Sequence, residues 1–478
     1  MIQTNGPFRA SRVSRAFRGL GPFSELLTDL QRRALMRRLL LVLVTFAVAA
    51  TSSLSAQFTV ERVAPGIYAT IRAEPPGQAF ESNSVFIIGD SGVIVVDAQS
   101  NLPATREVLA ALRHITSKPV TALILTHWHF DHITGASVYR DSFPGVAIIT
   151  HTRTQEAIDT GGPGRRSFLE SLPQAKAYFQ GILDAGKSFD DAPLTDEERA
   201  SIASDLRMAD RYATTPADFV PVTPTQLFTD RLTLHQGRRV IDLYYLGRGH
   251  TAGDIVVHLP NEGVLITGDL VTAPTPLIGT TSFPHEFAIT LDRLAELHPR
   301  VIIPGHGPVL RSAEYLRQET ALLHSLVGQT DSLVALGDTL AQVRAAIDLR
   351  PWRSWFAGES KVRRILFYSY VTSPGVERAY QEASAARGPH LIQTSTPSGA
   401  RDVPQGELDL SFTFDAPVTE DAIWEREGTL LLPIILDHHW SDDRRTLTLR
   451  VRLAPGREFG IHFRPGNSSY RLHTASAE

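Results

Sequence analysis

The sequence predicts a layered α/β domain, followed by a helical segment and a small all-β domain. Two observations carry this prediction: apolar strand runs alternate with helical runs from Phe58 to Val309, and beyond residue 406 the apolar period changes to two. Strands and helices that alternate along a chain pack as layers of sheet and helix around a shared core. The 478 residues exceed the size of one ordinary domain, which agrees with several units.

The strand runs of the first part are short and apolar. Val85–Ile88 and Val93–Val96 flank a Gly-Asp-Ser-Gly turn, which predicts a β-hairpin. Thr105–Ile115 has its apolar residues at helical spacing. The further predicted strands are Val120–Leu125, Val146–Thr150, Val240–Leu246, Ile255–Leu259, Val264–Thr267 and Val301–Pro304.

A long polar segment, residues 152–218, interrupts this series. It contains two helical stretches, Ser167–Ala185 and Thr195–Tyr212, and Thr195 with Glu198 three residues later predicts a capping box for the second. The segment is interpreted either as a surface insertion or as a lid over a site, because loops of this length often cover one.

The chain beyond the α/β domain, which is expected to end at residue 312, divides into three parts. Residues 313–393 are predicted to be helical, for example at Tyr315–Leu326 and Leu340–Ile347, and residues 394–406 to form a linker rich in Thr, Ser, Pro and Gly. Residues 407–478 alternate apolar and polar side chains, notably at Leu408–Phe414 and Leu447–Leu453, and predict a β-sandwich. This region resembles bacterial Ig-like domains, which implies contact with a surface or a protein partner.

The N-terminal residues 1–56 have the pattern of a secretory signal. Met36-Arg37-Arg38 is followed by the uncharged apolar run Leu39–Ala50 and the small-residue stretch Thr51–Ala56. We therefore expect Met36 to be the true start, cleavage after Ala56, a periplasmic or extracellular protein, and no stable membrane insertion after cleavage. An uncleaved N-terminal anchor is the alternative, although the apolar run is short for a membrane helix.

Composition limits the kinds of partner and site. The net charge of −4 gives no reason to expect a nucleic-acid partner; the partner expected is a small-molecule substrate. The chain has no cysteine, which excludes disulfides and thiolate metal ligands. A metal would therefore be held by histidine and carboxylate side chains.

Four potential metal ligands occupy six consecutive positions directly after the Val120–Leu125 strand: His127, His129, Asp131 and His132. The ends of strands are where α/β sheets present their functional groups. Further strand edges carry the same residue types beside glycines, which allow close backbone approach. These segments are Gly249-His250-Thr251, Gly268-Asp269 and Gly305-His306-Gly307.

With Val95-Val96-Asp97 as the first motif, this set resembles the metallo-β-lactamase superfamily, over roughly residues 58–310. The resemblance implies an αββα sandwich with a two-metal site, most simply two Zn²⁺, although iron or manganese suits a carboxylate-bridged site as well. It implies hydrolysis by water activated between the metals, with Asp131 orienting the nucleophile. The implied ligands are His127, His129 and His250 for one ion, Asp131, His132 and His306 for the other, and Asp269 as the bridge.

The resemblance leaves the substrate open. Many secreted β-lactamases of the superfamily have a cysteine where this chain has Asp269, and a lysine where it has Thr272. The aspartate bridge is similar to glyoxalase II and broader hydrolase branches, so an ester, thioester, lactone or amide bond is the expected target. A β-lactamase is one alternative, and a non-catalytic metal-binding surface or adhesion protein is another.

Overall fold

The computed structural model describes residues 58–476, apart from residues 74, 76, 78–80, 161–164, 189, 217, 420–422 and 465–467. The predicted signal, residues 1–56, lies outside the described residues, so export stays a prediction. Within the described part of the chain, no helix is both long enough and apolar enough to cross a membrane.

The first sheet has seven strands in sequence order. Strands β1 to β4 pair antiparallel, and β4 to β7 pair parallel. Strand β4 is apolar throughout, and β5 is apolar apart from the exposed Thr121, because their sheet is covered on both faces. The strands are β1 (Phe58–Ala64), β2 (Ile67–Arg72), β3 (Ser84–Ile88), β4 (Val93–Val96), β5 (Val120–Ile124), β6 (Ala147–His151) and β7 (Gln226–Phe228).

The second sheet has five strands in the order β12-β11-β10-β9-β8. They are β8 (Arg231–Gln236), β9 (Arg239–Tyr245), β10 (Ile255–Leu259), β11 (Val264–Ile266) and β12 (Val301–Ile303). Strand β10 is antiparallel to both neighbours, whereas β11 and β12 are parallel. The turn before β10 and the ends of β11 and β12 therefore lie at one edge of this sheet.

Helices cover the outer faces of both sheets. Between the sheets, buried side chains such as Val96, Ile124 and Ile255 form a shared core. Helices α1 (Leu102–Ile115), α2 (Phe130–Ile133) and α3 (Ala136–Ser142) lie on the side of the first sheet, where Val108 and Leu112 enter the core. Helix α7 (Pro284–Ala295) packs on the second sheet. This arrangement confirms the predicted αββα fold.

The segment expected as an insertion follows β6. It forms α4 (Thr152–Asp159), α5 (Arg165–Ala185) and α6 (Asp196–Tyr212), and the capping box between Thr195 and Glu198 is present. Residues 313–387 are mainly helical and extend the core of the second sheet, but the predicted helical segment ran to residue 393, and a strand begins at Leu391 instead. Their helices are α8 (Glu314–Ala335), α9 (Leu340–Ala346), α10 (Arg350–Ala357), α11 (Lys361–Phe367) and α12 (Ser373–Arg387), with a π-helical turn at Tyr368–Thr372.

The C-terminal strands form two four-stranded sheets around a separate apolar core, consistent with a sandwich. The predicted linker at residues 394–406 is wrong: β13 ends at Thr394, β14 occupies Ala400–Val403, and Val403 is buried in this core. The polar composition of residues 394–406 led to the wrong prediction because short strands at the edge of a sheet need few apolar residues. The strands are β13 (Leu391–Thr394), β14 (Ala400–Val403), β15 (Gly406–Phe414), β16 (Trp424–Arg426), β17 (Ile434–Trp440), β18 (Thr446–Leu453), β19 (Glu458–Phe463) and β20 (Ser468–Thr474).

Candidate metal centre

The seven predicted metal ligands come from four loops that meet at one edge of the two sheets. The loop after β5 carries His127, His129, Asp131 and His132; the turn before β10 carries His250. Asp269 follows β11, and His306 follows β12. Parallel strand ends place their loops at one edge, so residues 179 positions apart in the chain, His127 and His306, become neighbours.

The structure brings these side chains into two groups, in each of which the ligand atoms lie within 4.8 Å of one another. The first group is His127, His129, His250 and Asp269, and the second is Asp131, His132 and His306. Asp269 touches both: its Oδ2 lies 3.6 Å from His250 Nε2 and 3.2 Å from His306 Nε2. This is the position that a bridging carboxylate requires.

In the first group, hydrogen bonds fix which nitrogen of each histidine keeps its proton. His250 Nδ1 lies 3.0 Å from the Leu277 carbonyl oxygen, which can only accept. His129 Nε2 lies 3.2 Å from Thr281 Oγ1, whose single hydrogen goes to the His250 carbonyl. Both rings therefore present an unprotonated nitrogen to the group, His129 through Nδ1 and His250 through Nε2, 2.9 Å apart.

His127 is oriented by a relay that begins at Asp97. The Thr126 hydroxyl donates to Asp97 Oδ2 at 2.9 Å, so it accepts from His127 Nδ1 at 3.1 Å. His127 Nε2 is left buried, and no described residue gives it a hydrogen-bond partner. A buried lone pair without a partner is costly unless a metal or a proton occupies it.

The second group is oriented in the same way. His132 Nδ1 donates to Asp97 Oδ2 at 2.8 Å, and His306 Nδ1 donates to the Glu81 carbonyl oxygen at 3.0 Å. Their Nε2 atoms face each other at 3.3 Å. Hydrogen bonds from the outer nitrogens to acceptors are the usual support of metal-binding histidines.

The donor set therefore fits two cations. Each of the five histidines has the proton on its outer nitrogen, so its inner nitrogen presents a lone pair. Two pairs of these inner nitrogens lie 2.9 and 3.3 Å apart. Facing lone pairs repel unless a positive charge lies between them. Asp269 Oδ1 is also buried, and no described residue gives it a hydrogen-bond partner, so it is a further atom suited to bind a cation.

The two carboxylates bias the charges within the site. Burial lowers the pKa of His129 to about 3. Burial acts in the same direction on His306, but the Asp269 and Asp131 carboxylates outweigh it and raise its pKa to about 10. Burial would raise the pKa of Asp269, yet His306 and His132 hold it well below its usual range. The carboxylates of Asp131 and Asp269 thus stabilise a positive charge on the side of the centre where His306 lies.

Gly305 is needed for the close approach of the loops. A Cβ at this position would lie 2.0 Å from Asp269 Oδ1. The glycine predicted from sequence to permit such an approach therefore does so at the bridging carboxylate.

The insertion packs against the loop that carries four of the predicted ligands. Phe130, between two ligands, packs its ring on Tyr212 of α6 with centroids 5.4 Å apart, in a small core with Leu169, Leu172 and Met208. The insertion therefore lies beside the ligand loop, and a lid over the site stays a prediction.

The helical extension braces the loop that orients His129 and His250. Arg378 Nε of α12 donates to the Ser282 carbonyl at 2.9 Å, and Ile278 N donates to the Tyr370 carbonyl at 2.9 Å. The loop at residues 277–283 is thus held at both ends by residues 370 and 378. The extension therefore supports the metal centre, although no ligand lies in it.

All seven sequence-predicted ligands meet in the structure, and their role as ligands stays a prediction. The sequence did not identify the groups that orient them: the Leu277 and Glu81 carbonyls and the Thr281 hydroxyl. These carry no local signal, because any residue has a carbonyl and the loop at 277–283 has no motif. Asp97 is part of the first motif predicted from sequence, and the structure holds it in the left-handed backbone region, with φ 61°.

Comparison with known proteins agrees with the fold. Residues 77–306 match the family model described as the metallo-beta-lactamase superfamily. Curated relatives include a linear primary-alkylsulfatase from Pseudomonas sp., 28% identical over 240 residues, which cover 48% of this chain and 42% of the relative. They also include a metallo-beta-lactamase type 2 from Bacillus sp., 22% identical over 238 residues, which cover 49% of this chain and 69% of the relative.

Among solved structures, a stereoselective inverting sec-alkylsulfatase from Pseudomonas sp. aligns with a TM-score of 0.47 and 16% identity. The alignment covers 68% of this chain and 50% of that one. The chain thus spans less than half of the curated alkylsulfatase it matches.

Proposed function

Since residues 77–306 belong to the metallo-beta-lactamase superfamily, we propose that this chain is a hydrolase dependent on two divalent metal ions, most simply zinc. The target proposed is an ester, thioester, lactone or amide bond of a small molecule. The proposal rests on the two ligand groups, in which seven side chains direct their lone pairs toward one another. The outer nitrogen of every histidine among them already has a hydrogen-bond partner.

Two ions held by these groups would supply a Lewis acid and lower the pKa of a water molecule toward neutrality. The protein's own contribution is orientation and proton transfer. Asp131 Oδ2 lies 3.2 Å from His306 Nε2, inside the second ligand group. The role proposed for its carboxylate is to orient the attacking water and to accept its proton.

Three features support an ester among these bonds. Asp269 contacts both ligand groups, as an aspartate bridge would, and one relative is named a linear primary-alkylsulfatase; an alkyl sulfate is a sulfate ester. A cavity with apolar walls adjoins His306. A sulfate ester is therefore the second candidate within the same reaction class.

A β-lactam is the weaker alternative. Thr272, where related lactamases hold a lysine for the substrate carboxylate, is buried and donates its hydroxyl to the Thr275 carbonyl at 3.0 Å. It offers no cation to the site. The superfamily match and the Bacillus relative nevertheless justify a β-lactam in the assay panel.

We further propose that the enzyme is exported, on the sequence of residues 36–56 alone. Fractionation of cells expressing the full chain tests this. Mature protein beginning near residue 57 in the periplasm or medium supports export, and full-length protein in the cytoplasm refutes it.

The function is tested by measuring metal content and turnover in one preparation. The reconstituted chain is assayed on an aryl ester, a lactone, a thioester, an alkyl sulfate and nitrocefin. We expect about two metals per chain, turnover of at least one ester, and loss of one metal in a His306→Ala variant. His439→Ala is the matched control, because His439 is exposed in the C-terminal sheets.

Other outcomes separate the alternatives. A chain that binds no metal after reconstitution refutes the assignment of all seven ligands. A chain with two metals and no turnover on the whole panel supports the non-catalytic metal-binding alternative instead.

A further inference from the structure

A cavity of about 250 Å³ adjoins the metal centre, since His306 forms part of its wall. Most of the remaining wall is apolar and includes Ile71, Pro274, Leu277, Pro308 and Leu366. Arg72 is the permanent cation of the wall, and its guanidinium donates to the Ser204 hydroxyl of α6. The insertion thus contacts one residue of the cavity wall.

Much of this wall lies outside the residues that match the superfamily. Ile71 and Arg72 belong to β2, and Leu366 and Tyr370 belong to the helical extension. Leu366 is only 4% exposed, so its side chain has a fixed place. The Tyr370 carbonyl accepts from Ile278 N, beside Leu277, whose own carbonyl orients His250. The helical extension therefore lines the cavity and also contacts the loop that orients His250.

We propose that this cavity binds the apolar group of the substrate and that Leu366 limits the length of that group. The proposal rests on the hydrolase function, for which the same site would hold the scissile bond. A group of this kind gains affinity by leaving water, in proportion to the apolar surface that it buries.

The volume gives the expected size. An engineered apolar cavity of about 150 Å³ binds benzene, with six carbons. By proportion, 250 Å³ admits no more than about ten carbon atoms. This is below the range of about 300–1,000 Å³ typical of pockets for drug-sized ligands, so a compact chain or a substituted ring is the expected occupant.

Calorimetric titration with straight-chain carboxylates from acetate to dodecanoate tests the proposal on the zinc-reconstituted full chain. Each methylene that enters the cavity should raise affinity about fourfold, the equivalent of ~0.8 kcal/mol. The gain should stop between about eight and ten carbons. Affinity that does not depend on chain length overturns the proposal.

The role of Leu366 is tested with Leu366→Trp, which fills the cavity. We expect octanoate affinity to fall at least tenfold and acetate affinity to change less than twofold. Leu336→Trp is the matched control, because Leu336 belongs to the same extension and is 80% exposed. Leu366→Ala is the second variant in case the tryptophan prevents folding; it should move the longest useful chain upward. Unchanged length dependence in a folded Leu366 variant overturns the assignment.

A second ligand separates this proposal from the proposed function. Hexan-1-ol needs no metal, and its binding to the metal-free chain should be weakened by Leu366→Trp. If the alcohol binds in this way but no ester is hydrolysed, the cavity stands and the hydrolase function fails. If esters are hydrolysed without dependence on chain length, the function stands and the cavity assignment fails.

Discussion

Thr281 is the residue whose replacement tests the metal centre most directly. Its hydroxyl lies 3.2 Å from both His129 Nε2 and the His250 carbonyl, and it is the group that keeps the His129 proton on Nε2. Thr281→Val keeps the shape of the side chain and removes this acceptor. His129 is then free to place its proton on Nδ1, the atom that faces His250.

The magnitude follows from how many of the ligand-orienting hydrogen bonds the variant removes. Replacing a group that orients a ligand commonly lowers metal affinity by 10–100-fold, equivalent to ~1.4–2.8 kcal/mol. Thr281→Val removes the hydrogen bond that orients His129, while those of His127, His132, His250 and His306 remain. We therefore expect a loss of roughly tenfold to thirtyfold for the ion of the first group, within that range.

The assay is competition for zinc between the metal-free protein and a chromophoric chelator, so it does not depend on turnover. Thr281→Ser should restore affinity to within about threefold of the wild type, because serine keeps the hydroxyl. Thr280→Val is the matched control: Thr280 is the neighbouring, exposed threonine. Equal zinc affinity of Thr281→Val and the wild type, with both folded by circular dichroism, would refute the orientation argument.

Three further predictions concern other parts of the chain. Asp131→Asn should lower turnover at least a hundredfold on whichever substrate is active, because Asp131 orients and deprotonates the attacking water; a pH–rate profile of equal height in the variant would contradict this role. Glu319 is fully buried, both its oxygens lack a hydrogen-bond partner within the described residues, and burial raises its pKa well above the usual range. Above the unfolded value the unfolded chain releases this proton and the folded chain retains it, so stability falls as pH rises. Urea unfolding should therefore show that Glu319→Leu raises the free energy of unfolding by ~1–3 kcal/mol at pH 8 and by less toward pH 4. A stabilisation independent of pH would contradict the assignment. A chain that ends at residue 388 should retain metal and turnover, since all seven ligands and every cavity-wall residue precede residue 371; loss of both in a folded truncation would show that the C-terminal sheets belong to the site.

The sequence predicted eight strands of the α/β domain, each to within one residue at each end, and three of its helices. Strands such as β4 and β5 were visible because burial on both faces leaves a run of apolar residues in the chain. Strands β1, β7 and β8 were not identified, since they lie at the outer edges of the two sheets and are partly exposed, so their side chains carry little pattern. Strand β2 was not identified either, although it lies between β1 and β3.

The ligands themselves could be identified from the sequence because their chemistry is a property of residue type. His127, His129, Asp131 and His132 are adjacent in the chain, and glycines mark the other ligand loops. In a chain without cysteine, histidine and carboxylate side chains are the donors left for such a metal, so the candidate set was small.

The tertiary structure alone decided what orients the ligands and what adjoins them. The Leu277 carbonyl and the Thr281 hydroxyl act on His250 and His129 from 27 and 152 positions away in the chain, and the cavity wall joins β2 to the helical extension. Backbone carbonyls and apolar wall residues have no distinctive residue type. Their role depends on where packing places them, and packing is determined by the whole core rather than by any local segment.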